Sequence, residues 1–417
     1  MKVCVNAAQL ARVLNVACKD KLRQECELEA LQDRIFLKVT DGAAYSEFAI
    51  PAVVQQPGTV FIYVPPLLKL LKAVGSEEVT LFPHPELSRL VVQLPNEAQY
   101  LLPLGYNLNR TDNDNAFQSK VRELMNQASP FISFANGSVW SASKAVKPYR
   151  GDWDFSYIWV LPVQQKPEWA QMSVVAAIAA TDQLIFAASL LTDQQAEVLT
   201  GEHSVLLVPP DLTDFAVNSF AYAAESEDKQ YVYAILDDGY VCAPTIHAPE
   251  RYYRIAHQLL FEPASIRLQI SRSAWQQFRK AVQVYSERRS RSSKSADTRW
   301  DICPDGTHRI WSSVERNVLF TSEKIAIEGT LPRTVTFWLS LLEQALKFIP
   351  TPAVIELLPQ QSSCMMRLHD PFNYRICVIM SMVAESDFDS FTGSKGGSGQ
   401  TIVDNAESEE VSSYAEV

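Results

Sequence analysis

Three stretches of this chain repeat one design, and the repetition limits what the chain can fold into. In residues 205–220, VLLVPPDLTDFAVNSF, a short apolar strand runs into two prolines, and the spacing predicts a helix over 211–224. Residues 60–74, VFIYVPPLLKLLKAV, carry the same design, and TVTFWLSLLEQALKF, after Pro332, is a looser copy within 325–348. Proline suits a first helical turn because the N–H it lacks has no partner there. A second unit also recurs. VCVNAAQLARVLNVA (3–17) reads as a strand followed by a helix, with Asn6 placed as N-cap, and FISFANGSVWSASKAV (131–146) and LQISRSAWQQFRKAV (268–282) lie over it. Val5, Phe134 and Ile270 then share a place, as do Leu10, Val139 and Trp275, and Ala17, Val146 and Val282. Amphipathic helices also resemble one another by chance, and this overlay rests on pattern rather than identity. Its consistent order along the chain argues for one module used three times.

Between the two units lie strands in direct succession. In the first block these are 26–31, 34–40 and 45–50, with Asp41-Gly42 as a turn, and later 78–82, 87–94 and 99–104. Strands that follow one another without crossover helices form antiparallel sheets. The expected fold class is therefore α+β, with three repeated domains, each of two helices backed by antiparallel sheets. The expected boundaries are 1–113, 117–260 and 261–383, with a linker in the first half of 107–127. Residues 374–382 read as the last strand. The stretch 384–417 is rich in Gly, Ser and acid, lacks a core pattern and is expected to be disordered. Residues 286–299, SERRSRSSKSADTR, read as a basic mobile loop.

At 417 residues the chain is too long for one core. It has no run of eighteen apolar residues and no basic leader before an apolar segment, so a cytoplasmic protein with no membrane partner is expected. The seven cysteines, at 4, 18, 26, 242, 303, 364 and 377, include no C-x-x-C pair, which argues against zinc and disulfide frameworks. No hydrolase, zincin or Walker sequence occurs. The six histidines, at 84, 203, 247, 257, 308 and 369, show no ligand spacing, and His369-Asp370 reads as the start of a turn before Pro371. Asp238-Gly239 reads as a hairpin turn, and GSKGGSG (393–399) as a linker rather than a phosphate loop. Neither catalysis, a metal nor a cofactor is expected.

The net charge of −11 argues against nucleic acid until its distribution is considered. Without residues 384–417, which hold eight acidic residues and one lysine, 40 acidic and 36 basic residues remain. The basic ones gather on the predicted helices and their ends: Arg12, Lys19, Lys21, Lys69, Lys72, Lys144, Lys147, Arg150, Arg272, Arg279, Lys280, Arg288, Arg333 and Lys347. Lys69 and Lys72, like Lys144 and Lys147, are three apart and share a helix face. Any one lysine is most simply a solvated surface residue. The set, without aromatic residues interleaved for stacking, suits contact with phosphates rather than bases. The 211–224 segment is the exception, with Asp211, Asp214 and no cation.

At this point the chain resembles the bacterial DNA polymerase III β subunit, the β sliding clamp, over about residues 1–383. The specific stretches are AAIAATDQLIFAAS (176–189), similar to that family's strand–TDGHRLA–strand segment; 231–253, with strands before a Pro and a Tyr-Arg pair; and the closing CVIMSM (377–382). The resemblance implies clamp-type domains forming half of a ring, closed by a homodimer, with helices lining the hole. It implies a processivity factor that encircles duplex DNA topologically and without sequence preference, and that tethers a DNA polymerase and clamp-loader peptides. Carried over by position, the partner-peptide pocket would comprise Thr181, Leu184, Phe186, Arg254, Ile255, Val378, Met380 and Met382. This chain departs from the family's Gly-His-Arg-Leu at Gln183, Leu184, Ile185 and Phe186. An alternative is a clamp-fold interaction or regulatory protein that binds replication partners without encircling DNA. Phe388 and Phe391 in SDFDSF are expected to act as a peptide visiting such a pocket, in which case deleting 384–417 strengthens partner binding.

Overall fold

The structure, a computed structural model, describes residues 1–18, 25–40, 44–105, 112–135, 137–165, 170–200, 204–226, 229–289, 298–312, 318–321, 324–359 and 363–381. One succession of nine strands occurs three times along them. The first module runs β1 (Lys2–Asn6), α1 (Ala7–Ala17), β2 (Glu25–Leu31), β3 (Arg34–Thr40), β4 (Tyr45–Pro51), β5 (Val53–Gln56), β6 (Gly58–Tyr63), α2 (Val64–Val74), β7 (Glu78–Pro83), β8 (Arg89–Gln93) and β9 (Gln99–Pro103). After a linking helix, α3 (Asp112–Met125), the second runs β10 (Ser129–Phe134), α4 (Ser138–Val146), β11 (Ile158–Gln165), β12 (Val174–Thr181), β13 (Ile185–Thr192), β14 (Ala196–Val198), β15 (Leu206–Val208), a 3-10 turn (Pro210–Asp214), β16 (Ser219–Ala224), β17 (Gln230–Leu236) and β18 (Gly239–Thr245). A second linking helix, α5 (Glu250–Phe261), leads to β19 (Ile266–Gln269), α6 (Arg272–Arg289), β20 (Thr298–Ile302), β21 (His308–Ser312), β22 (Val318–Thr321), β23 (Ala326–Glu328), β24 (Val335–Trp338), α7 (Leu339–Phe348), β25 (Val354–Pro359), β26 (Cys364–Asp370) and β27 (Arg375–Met380).

Each module contributes a five-stranded and a four-stranded half-sheet. The halves join across module boundaries. The order β14-β10-β16-β17-β18-β4-β3-β2-β6 unites the second module's five strands with the first module's four, and β15-β11-β12-β13-β27-β26-β25-β19-β23 unites the second module's four with the third module's five. Two halves stay separate: the five-stranded β5-β1-β7-β8-β9 and the four-stranded β22-β21-β20-β24. At the first junction Gly239 pairs with Phe48 and Cys242 with Tyr45. An added Cβ on Gly239 would stand 2.1 Å from the Glu47 carbonyl oxygen, so this close approach requires glycine. At the second junction Ile185 pairs with Ile379 and Phe186 with Val378.

The joined sheets are apolar on both faces. On one face α1, α2, α4, α6 and α7 share the main core, with Leu10, Leu14, Leu67, Leu71, Val139, Trp275 and Leu342 at 3% exposure or less. Asn6 caps α1 by accepting from the Gln9 N–H at 3.0 Å. On the other face Val121 and Leu124 of α3 pack on Tyr45, Tyr231 and Tyr233. Tyr252, Ala256 and Leu260 of α5, at helical spacing, pack on Trp159, Phe186 and Val378. Each such fully buried side chain contributes roughly 1.5–3 kcal/mol. Arg122 ties α3 down through Glu47 (Nε to Oε2, 2.7 Å), and the Tyr45 and Tyr240 hydroxyls donate to that same oxygen at 2.9 and 3.1 Å. Burial pushes the Glu47 carboxyl up, and the Arg122 bonds outweigh it and hold it below the usual range.

Two sequence expectations change. The helix over 211–224 is a 3-10 turn of five residues followed by β16, so the middle module has one α-helix where two were expected. Aligned on the prolines, Leu67, Leu70 and Leu71 of α2 correspond to Asp211, Asp214 and Phe215. The segment thus lacks both the helix-favouring residues and the apolar stripe that would extend the turn, and Phe220, Ala221 and Ala223 are instead buried in a sheet. The linker expected in the first half of 107–127 is helical from Asp112, so the boundary expected at 113–117 falls inside α3. Residues 250–261, unassigned from sequence beyond their Tyr-Arg pair, form α5. The expected turn at Asp41-Gly42, the central part of the basic 286–299 insertion and the 384–417 tail lie outside the described residues.

Candidate nucleic-acid interface and partner pocket

Of the expected DNA-facing cations, Arg12, Lys69, Lys72, Lys144, Arg272, Arg279, Lys280 and Lys347 fall on the helices of the main-core face, opposite α3 and α5. Arg12 and Asn15 lie one turn apart on α1, and Lys72 of α2 donates to the Asn15 Oδ1 at 3.2 Å, so with Lys69 they share one exposed surface. Lys144 is exposed on α4, its Nζ 4.8 Å from the Trp140 ring centroid. Arg272 and Lys280 are exposed on α6, and Arg279 is half-buried there. Arg150 is exposed beyond α4, donating to the carbonyls of Lys147 at 3.0 Å and Ser156 at 3.3 Å. Arg333 is exposed before β24. Lys19 and Lys21 lie outside the described residues, as does the side chain of Arg288 on α6.

Several of these charges are already answered within the chain. Arg12 pairs with Asp238 in the β17–β18 turn, a link from the first module to the second. Lys147 pairs with Asp214 of the 3-10 turn. Lys347 pairs with Glu343 one turn away at 3.0 Å. Lys69, Arg272 and Lys280 are exposed without an ion pair among the described residues. The face is thus cationic in patches. Trp140, 45% exposed beside Lys144, is an aromatic on it that the charge pattern alone did not bring forward.

The residues expected to form a partner pocket divide. Thr181 pairs with Phe186 across the β12–β13 turn, Phe186 pairs with Val378, and the Met380 N–H donates to the Leu184 carbonyl at 3.0 Å, so these five meet at the second junction. Asp182 shapes the turn by accepting from the N–H groups of Leu184 at 3.0 Å and Ile185 at 2.7 Å. Gln183 takes φ 79°, the left-handed region where the resembled family carries glycine. Phe186 and Val378 are buried beneath α5, whose Tyr252 stacks on Trp159 with ring centroids 4.8 Å apart and planes 10° apart. Phe155 joins the stack against both. Arg254 and Ile255 lie on the exposed side of α5, with Arg254 3.9 Å from Glu250. Met382 is outside the described residues. The chain's own helix therefore fills the hollow over Phe186 and Val378. Trp159, Phe155 and Tyr252 were missed from the sequence, although the Tyr252, Ala256, Leu260 stripe was legible there.

Among the described residues no group of three or more His, Cys, Asp or Glu side chains is placed to hold a metal ion, and no helix is long and apolar enough to cross a membrane.

No protein-family model matches the chain, and no curated protein sequence does. Solved structures match over almost its whole length. The DNA polymerase sliding clamp of Caulobacter crescentus is 16% identical with a TM-score of 0.62, covering 92% of this chain and 99% of that one. The β subunit from the DNA polymerase of Streptococcus pyogenes is 11% identical with a TM-score of 0.61, covering 92% and 100%. The DNA polymerase III β subunit of Thermotoga maritima is 13% identical with a TM-score of 0.59, covering 91% and 99%. With its three modules and their shared sheets, the chain has the fold of the DNA polymerase III β-subunit sliding clamp.

Proposed function

We propose that this chain is a sliding clamp: two copies close head to tail around duplex DNA and hold a DNA polymerase or another DNA-processing enzyme there, without catalysis of their own. The observation that carries this reading is the pair of unjoined half-sheets. Both junctions inside the chain add four strands to five, through β4 with β18 and β13 with β27. The unjoined five-stranded half ends in β9, the counterpart of β18 and β27, and the unjoined four-stranded half ends in β22, the counterpart of β4 and β13. Pairing β9 of one copy with β22 of another rebuilds the same nine-stranded junction between chains. Tyr100 and Leu101 on β9 are 44% and 51% exposed, an apolar edge of the kind that invites a strand partner. A head-to-tail contact of this sort makes a ring when its rotation closes.

The cationic patches support a DNA-facing wall. Contacts to phosphates are strong at low salt and carry no sequence information. A ring holds its DNA topologically, so Lys69, Lys144, Arg272 and Lys280 suffice where a clasp would need many more. The expected outcomes are a dimer by light scattering, and retention on nicked circular DNA that is lost on linearisation. Replacing Lys69, Lys72, Arg279 and Lys280 with glutamate is expected to impair loading onto DNA and leave the dimer intact. A stable monomer overturns the reading.

The second reading is a clamp-fold protein that binds replication partners without encircling DNA. The pairing of Arg12, Lys147 and Lys347 with carboxylates and the filling of the hollow by α5 favour it. It predicts a monomer that is not retained on circles.

A further inference from the structure

One stretch of surface away from the cationic helices is apolar. Trp153 is 89% exposed, Leu184 41% and Ile255 45%, and Met380 is half-buried. Local contacts gather these four. The Gly151 N–H bonds the Phe155 carbonyl at 3.1 Å and the Thr181 carbonyl at 3.0 Å, and a Cβ on Gly151 would lie 2.9 Å from the Asp182 Cα. Trp153 is therefore carried beside the 182–184 turn. Phe155 stacks on Tyr252, one turn before Ile255 on α5. Met380 bonds Leu184. Scattered exposed apolar residues are ordinary, but a contiguous group marks a contact surface. The charges around it nearly cancel, with Arg150, Arg251 and Arg254 against Asp152, Asp182 and Glu250. A ligand for it is recognised by apolar burial.

The chain itself supplies such a ligand. It leaves β27 beside the patch: Met380 belongs to both, and the Ser381 hydroxyl and N–H bond the backbone of Cys364 at 2.7 Å. Between Tyr374 and Tyr414 the aromatic residues are Phe388 and Phe391, in SDFDSF, followed by GSKGGSG. Six residues separate Ser381 from Phe388, and the seven Cα steps span about 23 Å when extended. A tether of this length gives an effective concentration on the order of millimolar, so a contact too weak to form between separate molecules is occupied within one.

We propose that residues 386–391 dock on this patch of the same chain, with Phe388 and Phe391 covering Trp153, Leu184 and Ile255, and compete with any protein partner that uses this surface. The proposal needs only the surface and the tail, so it stands or falls separately from DNA encirclement, which circle retention reads. The test is hydrogen–deuterium exchange on the full chain and on a full chain carrying Phe388→Ser and Phe391→Ser. Amides at 152–156, 183–184 and 250–255 are expected to exchange at least about fivefold faster in the variant. A Trp153→Ser chain is expected to show the same acceleration at 250–255. The wild-type protection should be unchanged by about tenfold dilution and by salt from roughly 50 to 300 mM, since it is intramolecular and apolar. Equal exchange in wild type and the Phe variant overturns the proposal. Protection that fades on dilution also overturns it, because the segment would then come from a second copy.

Discussion

Glu356 lies on β25 at 4% exposure among three basic side chains. Arg367 donates through Nε at 2.8 Å, His369 meets it through Nε2 at 2.8 Å, and Arg267 stands 3.4 Å away. Arg367 also donates to the carbonyls of Leu259 at 3.2 Å and Glu262 at 2.7 Å, closing the C-terminal end of α5. Burial pushes the Glu356 carboxyl up, but the His369 hydrogen bond and the Arg367 charge outweigh it and hold it at about 2. Burial likewise drives His369 below its ordinary 6.5, against the pull of Glu356, so the ring is neutral and donates its Nε2 proton. Both shifts have the same sign for stability. Each unfolded group binds more protons than the folded one, so stability rises with pH across both windows. The His369 contribution is full above 6.5 and falls below it; that of Glu356 is full above 4.5 and is lost toward 2. Urea unfolding from pH 7 to 4 is therefore expected to show a progressive loss. Glu356→Gln is expected to cost about 3 kcal/mol at pH 7, because it leaves Arg367 buried without its anion. An unchanged urea midpoint would count against this network. His369-Asp370 reads in the sequence as the start of a turn before Pro371. Asp370 does cap that turn, through the N–H groups of Phe372 and Asn373 at 3.1 Å, but His369 faces the core, which its neighbours in sequence do not reveal.

At the scale of elements, α5 is the piece most open to test. Tyr252 packs flat on Trp159 and closes the hollow over Phe186 and Val378. Tyr252→Ala is expected to lose about 3 kcal/mol, the cost of a large aromatic cavity, and Tyr252→Phe little, since the stacking ring remains. If that hollow is the partner site, the alanine variant also gains affinity for partner peptides, and fluorescence titration against wild type reads both effects. Which elements were legible follows local chemistry. The β1–α1, β6–α2 and β24–α7 units were visible because Leu10 and Leu14, Leu67 and Leu71, and Leu342 and Leu346 recur four apart. The unit at 205–220 carried the same prolines but not that spacing, so the prolines alone misdirected the reading. Helix α3 was hidden by its polarity, although Phe117, Val121 and Leu124 mark its buried side. The pairing of β4 with β18 and of β13 with β27 joins strands distant in sequence, and no local pattern encodes that register. The grouping of Thr181, Leu184, Phe186, Val378 and Met380 was legible only through the resemblance. Their cover was not, because the stack of Trp159, Phe155 and Tyr252 arises only when those junctions form.

At the scale of the whole molecule, the tripled module leaves two edges that match each other. Inside the chain the β18–β4 junction uses four residue pairs and the β27–β13 junction five. If two copies close a ring as proposed, repeating that geometry would set Gln99 through Leu102 of β9 antiparallel to Val318 through Thr321 of β22 in the second copy. On its outer side β9 has no strand partner among the described residues, and Leu101 stands 51% exposed there. Leu101→Asp is therefore expected to leave the unfolding free energy of the separated chain within about 0.5 kcal/mol, as at other exposed positions. It is also expected to weaken association at least about tenfold, or roughly 1.4 kcal/mol, by placing a charge where two strands must meet. Sedimentation across a concentration series separates the two effects. A variant that dimerises like wild type would show that β9 is not the contact, and the circle-retention experiment would then need another route to closure. A variant that unfolds would show instead that β9 is held by its own sheet through Leu101. Weakened association with an intact fold is the outcome that ties the free edge to the ring.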